Sequence, residues 1–231
     1  MPSICDPLLA LSSMLLGGAA AYVILSIAER MRAADQGHLK WRWLSIGGVA
    51  AGLEIWAIHF IGNLAGFPPA PGAEDYVFTI LSIVFAGVAG TVAVYLIGSP
   101  GQSQTQLVLG GLAMGICLSL THFTSVTSIH QALSLQFRAL PFVLSIGIIV
   151  GLGIVVVLLG AWNISYGGWR VTEKASAMGL ALSGAHFAGM IPAYGSMGVT
   201  ISAPPAGIEV ERLAIVAVSL ATLLSIIDRH V

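Results

Sequence analysis

Charged residues are scarce in this chain, with Lys, Arg, Asp and Glu making up 8% of its 231 residues, against roughly 25% in a soluble domain. The net charge of −1 leaves no basic excess for a nucleic-acid-binding surface. Two cysteines are too few for a disulfide framework. No basic segment precedes the first apolar run, so a cleaved signal peptide is not expected. With 57% hydrophobic residues and a mean hydropathy of +0.94, the chain is predicted to be a polytopic membrane protein surrounded by lipid.

Seven apolar segments are long enough to cross a bilayer, which takes about 20 residues per helix. They are separated by breakers such as Pro68-Pro69 and Ser99-Pro100-Gly101. An all-α fold of seven transmembrane helices in one domain, residues 1–231, is therefore predicted. The helices are placed near residues 8–28, 44–66, 77–98, 107–128, 140–162, 175–195 and 211–228.

Positive charges in the short loops predict the orientation of the chain. Of the nine Lys and Arg residues, only Arg138 and Arg212 fall on one side. The N-terminus is therefore expected outside and the C-terminus in the cytoplasm. The residues expected on the cytoplasmic side are Arg30, Arg32, Lys40, Arg42, Arg170, Lys174 and Arg229.

A histidine recurs in the same sequence context in predicted helices 2, 4 and 6. His59, His122 and His186 are 63 and 64 residues apart, and each is followed by Phe. An ionisable group within lipid costs several kcal/mol and is a functional-site hypothesis by default. Because these helices run in one direction, the three imidazoles are expected to share a site in the outer half of the bilayer.

The repeat unit is a histidine-bearing helix with the helix that follows it, over residues of about 44–98, 107–162 and 175–228. Helix 1 is then an extra N-terminal element. Three parallel units predict pseudo-threefold packing with helices 2, 4 and 6 at the centre. Seven residues before each histidine, on the same helix face, lie small residues that allow close packing: Gly52, Gly115 and Gly179.

Two other positions near the histidines carry polar or soft side chains. Four residues after them come Asn63, Val126 and Met190; since Asn and Met can ligate metals, Asn63 and Met190 join the three histidines as candidate metal ligands. Glu54 is the only acid well inside a predicted span, and it points about 140° away from His59. Both a structural and a proton-relay role stay open for it.

These motifs resemble those of the MHYT family of bacterial integral-membrane sensor domains, named for a Met-His-Tyr-Thr motif near the outer ends of three helices. The segments Asp6-Pro7-Leu8 and Ile55-Trp56-Ala57-Ile58-His59 are similar to the family as well. The resemblance implies a sensor in the bacterial inner membrane that binds copper through Met and His and responds to oxygen, carbon monoxide or nitric oxide. It also implies a cytoplasmic partner, a GGDEF/EAL domain acting on cyclic di-GMP or a DNA-binding domain, in the same or another chain.

The chain departs from the family pattern in its methionines. Ile58, Thr121 and Ala185 precede the histidines where the family has Met, and Met190 alone survives of the trailing methionines. Soft thioether ligation of Cu(I) is therefore less favoured than a three-imidazole site for Cu(II) or Zn(II). Copper is the expected cofactor, with zinc as the alternative. The sequence ends soon after predicted helix 7, so an isolated sensor module or the membrane half of a longer protein is expected.

Four alternatives to a metal-dependent sensor remain. Parallel repeats also build small transporters, although Pro192 is the one strong helix interruption. Three histidines with a zinc-bound water build intramembrane hydrolases, which also need a carboxylate base. Haem ligation needs a wider gap than glycine-lined helices favour. In the fourth alternative no ligand binds, and the histidines only hydrogen-bond to each other or to neighbouring hydroxyls. On the sensor interpretation the chain is not an enzyme.

Overall fold

The computed structural model describes residues 6–34, 37–66, 75–130, 139–162 and 171–194, and the regular structure in these ranges is helical throughout. The all-α prediction is confirmed for this part of the chain. The predicted seventh helix, residues 211–228, lies outside the described residues. The six described helices are α1 (Pro7–Ala33), α2 (Gly37–Gly66), α3 (Tyr76–Gly98), α4 (Gln104–His130), α5 (Ala139–Ala161) and α6 (Val171–Tyr194).

Helices α1 to α5 are long and apolar enough to cross a membrane, judged by length and composition. Helix α6 was predicted as a span but is not among these candidates, because it begins with Thr172, Glu173 and Lys174 and is rich in Ser, Gly and Ala. The first two helices also extend beyond the predicted 8–28 and 44–66. Hydropathy marks the apolar part of a helix, whereas the backbone hydrogen bonds continue into its polar ends, so positive residues predicted in a loop lie on helix ends.

Aspartates begin α1 and α3 in the same way. The Asp6 carboxylate accepts from the backbone N–H groups of Leu8 and Leu9 at 2.9 and 3.3 Å, and Asp75 accepts from the equivalent groups of Val77 and Phe78 at 2.8 and 3.3 Å. Both are N-caps that satisfy otherwise unpaired donors of the first helical turn.

These capping residues also tie neighbouring helices together. The backbone N–H of Asp6 donates to the carbonyl of Ala65 at 2.8 Å, and that of Asp75 donates to the carbonyl of Ser128 at 2.9 Å. The beginnings of α1 and α3 are thus held at the ends of α2 and α4.

The helices form a ring in chain order, closed by α1 against α6. Three glycines set equivalent contacts on the ring. A Cβ added at Gly52 would lie 2.5 Å from the Cα of Gly87 on α3, and one at Gly115 would lie 2.5 Å from the Cα of Val150 on α5. A Cβ at Gly179 would lie 2.6 Å from the N of Gly18 on α1. Backbones therefore touch at all three contacts.

Helix α1 thus packs against α6 as α3 packs against α2 and α5 against α4. Whether helix 1 is an extra element beside the repeats stays a prediction, because helix 7, the predicted partner of α6, lies outside the described residues. Three similar helix pairs close most compactly as a ring, and in the described part of the chain the partner that α6 needs comes from the beginning of the sequence. The repeat boundaries near 44–98, 107–162 and 175–228 stay a prediction.

The odd-numbered helices meet at the end of the bundle away from the histidines. A Cβ at Gly98 of α3 would lie 3.2 Å from the Met31 Sδ of α1. The Arg32 guanidinium donates to the carbonyl of Ile97, and the Lys174 ammonium donates to the carbonyl of Trp162. Cations bonded to the last carbonyls of a helix also oppose its dipole, so these contacts fasten the helix ends.

Candidate metal centre

The structure brings the three predicted histidines together where α2, α4 and α6 approach their C-terminal ends, here called the histidine end. All three side chains are 0% exposed. The ring centroids of His59 and His122 are 5.7 Å apart, those of His59 and His186 5.5 Å, and those of His122 and His186 5.2 Å. One ring nitrogen from each lies within 4.8 Å of the others. Ligation at about 2.0–2.1 Å would bring these nitrogens to roughly 3.5 Å, so small ring movements complete the site.

The imidazole nitrogens have almost no partners within the protein. His59 Nδ1 lies 2.9 Å from the carbonyl of Ile55, and it donates there when it carries the ring proton. His59 Nε2 and both ring nitrogens of His122 and His186 have no partner with good hydrogen-bond geometry among the described residues, although the rings of His122 and His186 face the backbone of Gly189 and Gly62. A buried polar atom left unpaired costs about 1–3 kcal/mol. A ligand that binds to these nitrogens would remove that cost.

The hydroxyls that were alternative partners of the histidines do not pair with them. Ser119 Oγ donates to the carbonyl of Gly115 at 3.0 Å, and Thr121 Oγ1 donates to that of Cys117 at 2.8 Å. Ser183 Oγ is buried without a partner. The hydrogen-bonded alternative therefore has no support in the described contacts.

Glycines three residues after the histidines make room for the imidazoles. A Cβ added at Gly62 of α2 would overlap the His186 ring, and one at Gly189 of α6 would overlap the His122 ring. The third equivalent position holds Ser125. The sequence alone does not indicate which imidazole each glycine admits.

The other two candidate ligands lie on the same helices. Asn63 is 0% and Met190 1% exposed. Asn63 Nδ2 donates to Ser125 Oγ at 3.0 Å, and its Oδ1 has no partner among the described residues. This hydrogen bond between α2 and α4 was not predicted, because nothing in a single sequence marks Ser125 as the partner of Asn63. Metal ligation by Asn63 and Met190 stays a prediction.

Glu54 is the acidic side chain nearest to the cluster along α2. It is 2% exposed, and its Oε2 has no hydrogen-bond partner among the described residues. The equivalent residue of α4, Cys117, is a free, half-buried thiol. The other four acids among the described residues contrast with Glu54, because Asp6 and Asp75 cap helices while Glu29 and Glu173 lie near helix ends.

Apolar helices in a ring around a buried three-histidine cluster define an integral membrane protein with a polar centre inside its bundle. The chain contains MHYT-family sequence: residues 52–110 match the family model described as a bacterial signalling protein N-terminal repeat. The resemblance inferred from the histidine motifs is therefore confirmed. The matched segment begins at Gly52 on α2, includes all of α3 and ends within α4.

Similar proteins are signalling proteins of bacteria. The chain is 29% identical over 227 residues to the bifunctional diguanylate cyclase/cyclic di-GMP phosphodiesterase MucR of Pseudomonas aeruginosa, covering 94% of the chain and 33% of that protein. It is 26% identical over 190 residues to the cyclic di-GMP phosphodiesterase NbdA of the same species, covering 80% of the chain and 24% of the relative. The signaling protein YkoW of Bacillus subtilis is 22% identical over 193 residues, covering 78% and 23%. The chain thus spans a third or less of these relatives, and no solved structure matches it.

Proposed function

We propose that this chain is a membrane sensor domain that holds one metal ion between His59, His122 and His186. The observation that carries the proposal is the convergence of three buried imidazoles, of whose six ring nitrogens five lack a hydrogen-bond partner of good geometry among the described residues. Neutral imidazole is a good ligand for copper and zinc, and the cluster contains no thiolate. Copper is the proposed cofactor, with zinc as the alternative. Asn63, through its Oδ1, and Met190 are proposed as further ligands.

The metal would supply a coordination position for a small molecule such as oxygen, carbon monoxide or nitric oxide. The residues of the chain hold the ion and exclude water. Gly62 and Gly189 admit two of the rings, and the bond from His59 to Ile55 holds the third against its own helix. Because α2, α4 and α6 each contribute one ligand, a change at the metal alters the spacing of all three helices.

The proposed output is a cytoplasmic signalling domain in the same or another chain. The similar proteins MucR and NbdA are enzymes of cyclic di-GMP turnover, which favours a GGDEF/EAL partner over a DNA-binding one. The loop charges support an inner-membrane protein with its N-terminus outside and its C-terminus in the cytoplasm. The histidine end then faces outward, so the sensed species arrives from outside.

The proposal is tested by a reporter fusion. A diguanylate cyclase fused after Val231 is titrated with copper, zinc or nitric oxide in spheroplasts, and cyclic di-GMP is measured. We expect one of these to change the output of the wild-type fusion, and His122→Ala to remove that response. A response that survives in His122→Ala, or no response to any of them, would overturn the sensor proposal.

The hydrolase alternative is less well supported by the arrangement. A zinc hydrolase needs a carboxylate beside the metal-bound water. Among the described residues, the group with metal-ligand geometry contains the three histidines alone. The transporter alternative predicts interrupted helices at the midplane, whereas Pro192, the proline inside α6, lies beyond His186 near the helix end.

A further inference from the structure

Glu54 is a buried acid that neither the helix packing nor the metal ligands account for. Its side chain is 2% exposed and its Oε2 lacks a partner among the described residues. Trp56, on the same helix, shows how this bundle normally treats a buried polar atom, since its Nε1 donates to Ser82 Oγ at 3.0 Å. An unpaired carboxylate in an apolar interior is far less stable than a carboxyl group that keeps its proton.

A metal ion at the histidine cluster changes this balance. Three neutral imidazoles leave the full charge of a divalent cation inside the bundle. Glu54 precedes His59 by five residues, which is about 7.5 Å along the helix axis. Glu54 also points about 140° around the helix from His59, so its carboxyl group lies farther from the cluster than this axial rise. In a medium of low effective dielectric constant, opposite charges still attract at such a separation. A cation at the cluster therefore favours the ionised form of Glu54.

The other described acids at the histidine end are Asp6 and Asp75, whose carboxylates already accept from backbone N–H groups in the first turns of α1 and α3. Besides Asp75, helix α3, which also packs on α2, contributes the tyrosines at or near its ends, Tyr76 and Tyr95. The cations Arg30, Arg32 and Lys174 lie with Glu29 and Glu173 at the end of the bundle away from the histidines, as the Arg32–Ile97 and Lys174–Trp162 contacts indicate. The titratable groups within the spans of the remaining helices packed on α2 are Tyr22 of α1, Cys117 and His122 of α4, and His186 of α6.

We propose that Glu54 is a proton-exchanging counter-ion of the metal centre. The carboxyl group keeps its proton while the three imidazoles are free. When a divalent cation binds, the O–H bond of Glu54 breaks, its electron pair stays on the carboxylate, and the proton leaves to bulk water. The net charge that metal binding adds to the bundle is then one unit smaller than the charge of the ion. This inference rests on the proposed metal site.

Labelling with dicyclohexylcarbodiimide, an apolar reagent that adds to protonated carboxyl groups, tests the first half of the exchange. In metal-free protein we expect mass spectrometry to find the adduct on Glu54, with none there in Glu54→Gln. Saturating zinc should suppress this labelling at least tenfold in wild type. In His122→Ala, zinc should leave the labelling unchanged. No adduct on metal-free Glu54 would overturn the inference.

The same experiment separates the two proposals because zinc content is measured on the same samples. Zinc that binds at the histidines without protecting Glu54 overturns the counter-ion and leaves the metal site standing. Zinc that does not bind overturns the metal site, and the counter-ion with it.

Proton release tests the second half. At about pH 8, where free imidazole is neutral, zinc binding to wild type should release about one proton more than zinc binding to Glu54→Gln. The variant should also bind zinc at least tenfold more weakly, because its buried charge stays uncompensated, and Glu54→Asp should restore the release. Cys117→Ala, at the equivalent position of α4, is the matched control and should match wild type. Equal proton release from wild type and Glu54→Gln would overturn the inference.

Discussion

At the scale of single residues, the chain buries polar atoms that its own side chains do not satisfy. Unpaired nitrogens on His59, His122 and His186 meet where α2, α4 and α6 converge. In folded proteins more than nine in ten buried polar groups are paired. A local group of exceptions in the described residues, one from each of three helices, supports the proposed metal site.

Replacing any one of the three histidines by Ala is expected to reduce bound metal at least tenfold, because each supplies one of three ligands. The matched control is His38→Ala, on the polar first turn of α2, which should keep wild-type metal content. Metal is measured by mass spectrometry on protein purified without a histidine tag. Equal losses in all four variants would indicate adventitious binding.

Gly62→Ala and Gly189→Ala are expected to weaken metal binding at least tenfold by displacing the rings of His186 and His122. Overpacking of this kind typically costs about 1–3 kcal/mol. Gly147→Ala is the control, because a Cβ at Gly147 meets nothing within 4 Å. Zinc titrations of the three variants check the prediction, and unchanged affinity in Gly62→Ala would contradict the glycine contacts.

Acidification should release the metal as pH falls from about 7 to 5, because the proton and the ion compete for the same imidazole lone pair and free imidazole titrates near pH 6.5. Buffer exchange at stepped pH followed by metal analysis measures the loss. Full retention at pH 4 would point to carboxylate or thioether ligands instead of imidazole.

At the scale of helices, the bundle depends on backbone contacts at glycine. Gly52→Val is expected to lower the melting temperature in detergent by several degrees, because its side chain would enter the backbone of α3 at Gly87. Gly151→Val makes the same change at a glycine whose Cβ position is open and should melt like wild type. Similar melting of both variants would mean that α2 and α3 do not touch as described.

Helices and the histidine cluster were predictable from the sequence, but the order of neighbours was not. Apolar runs of bilayer length locate α1 to α5, and three histidines at equivalent positions imply one shared site. Whether Gly62 meets the ring of His186 or that of His122 depends on the direction in which the ring of helices closes. A single sequence carries the periodicity of each helix and no information on that direction. Helices α1 and α2 were predicted too short because hydropathy marks only the apolar part of a helix, which lies within the membrane core.

At the scale of the whole molecule, α1 completes the third helix pair although it comes first in the chain. The prediction of an extra first helix followed sequence order, in which α1 precedes the first histidine. Closure of the ring of helices places Gly18 against Gly179, a contact that no local sequence pattern predicts. Residues far apart in the chain thus form the third of three similar contacts.

A bundle closed in this way should assemble from two pieces. Residues 1–34 and 37–231, expressed together as separate chains, are expected to copurify and bind metal, because membrane helices insert singly before they associate. Gly179→Leu in the larger piece should abolish copurification, and Gly147→Leu should not. Independent migration of the two unmodified pieces would contradict the α1–α6 contact.

The closed ring also leaves the ancestral unit of this fold undefined. A linear array of duplicated helical hairpins has a first and a last hairpin. A closed ring of alternating helices can instead be divided into hairpins in two ways, because each even-numbered helix can be paired with either of its two neighbours. The Asp6–Ala65 and Asp75–Ser128 bonds join α1 to α2 and α3 to α4, while the glycine contacts join α2 to α3, α4 to α5 and α6 to α1. Each pairing is held by its own contacts, so in the described residues neither pairing is structurally preferred as the repeat unit.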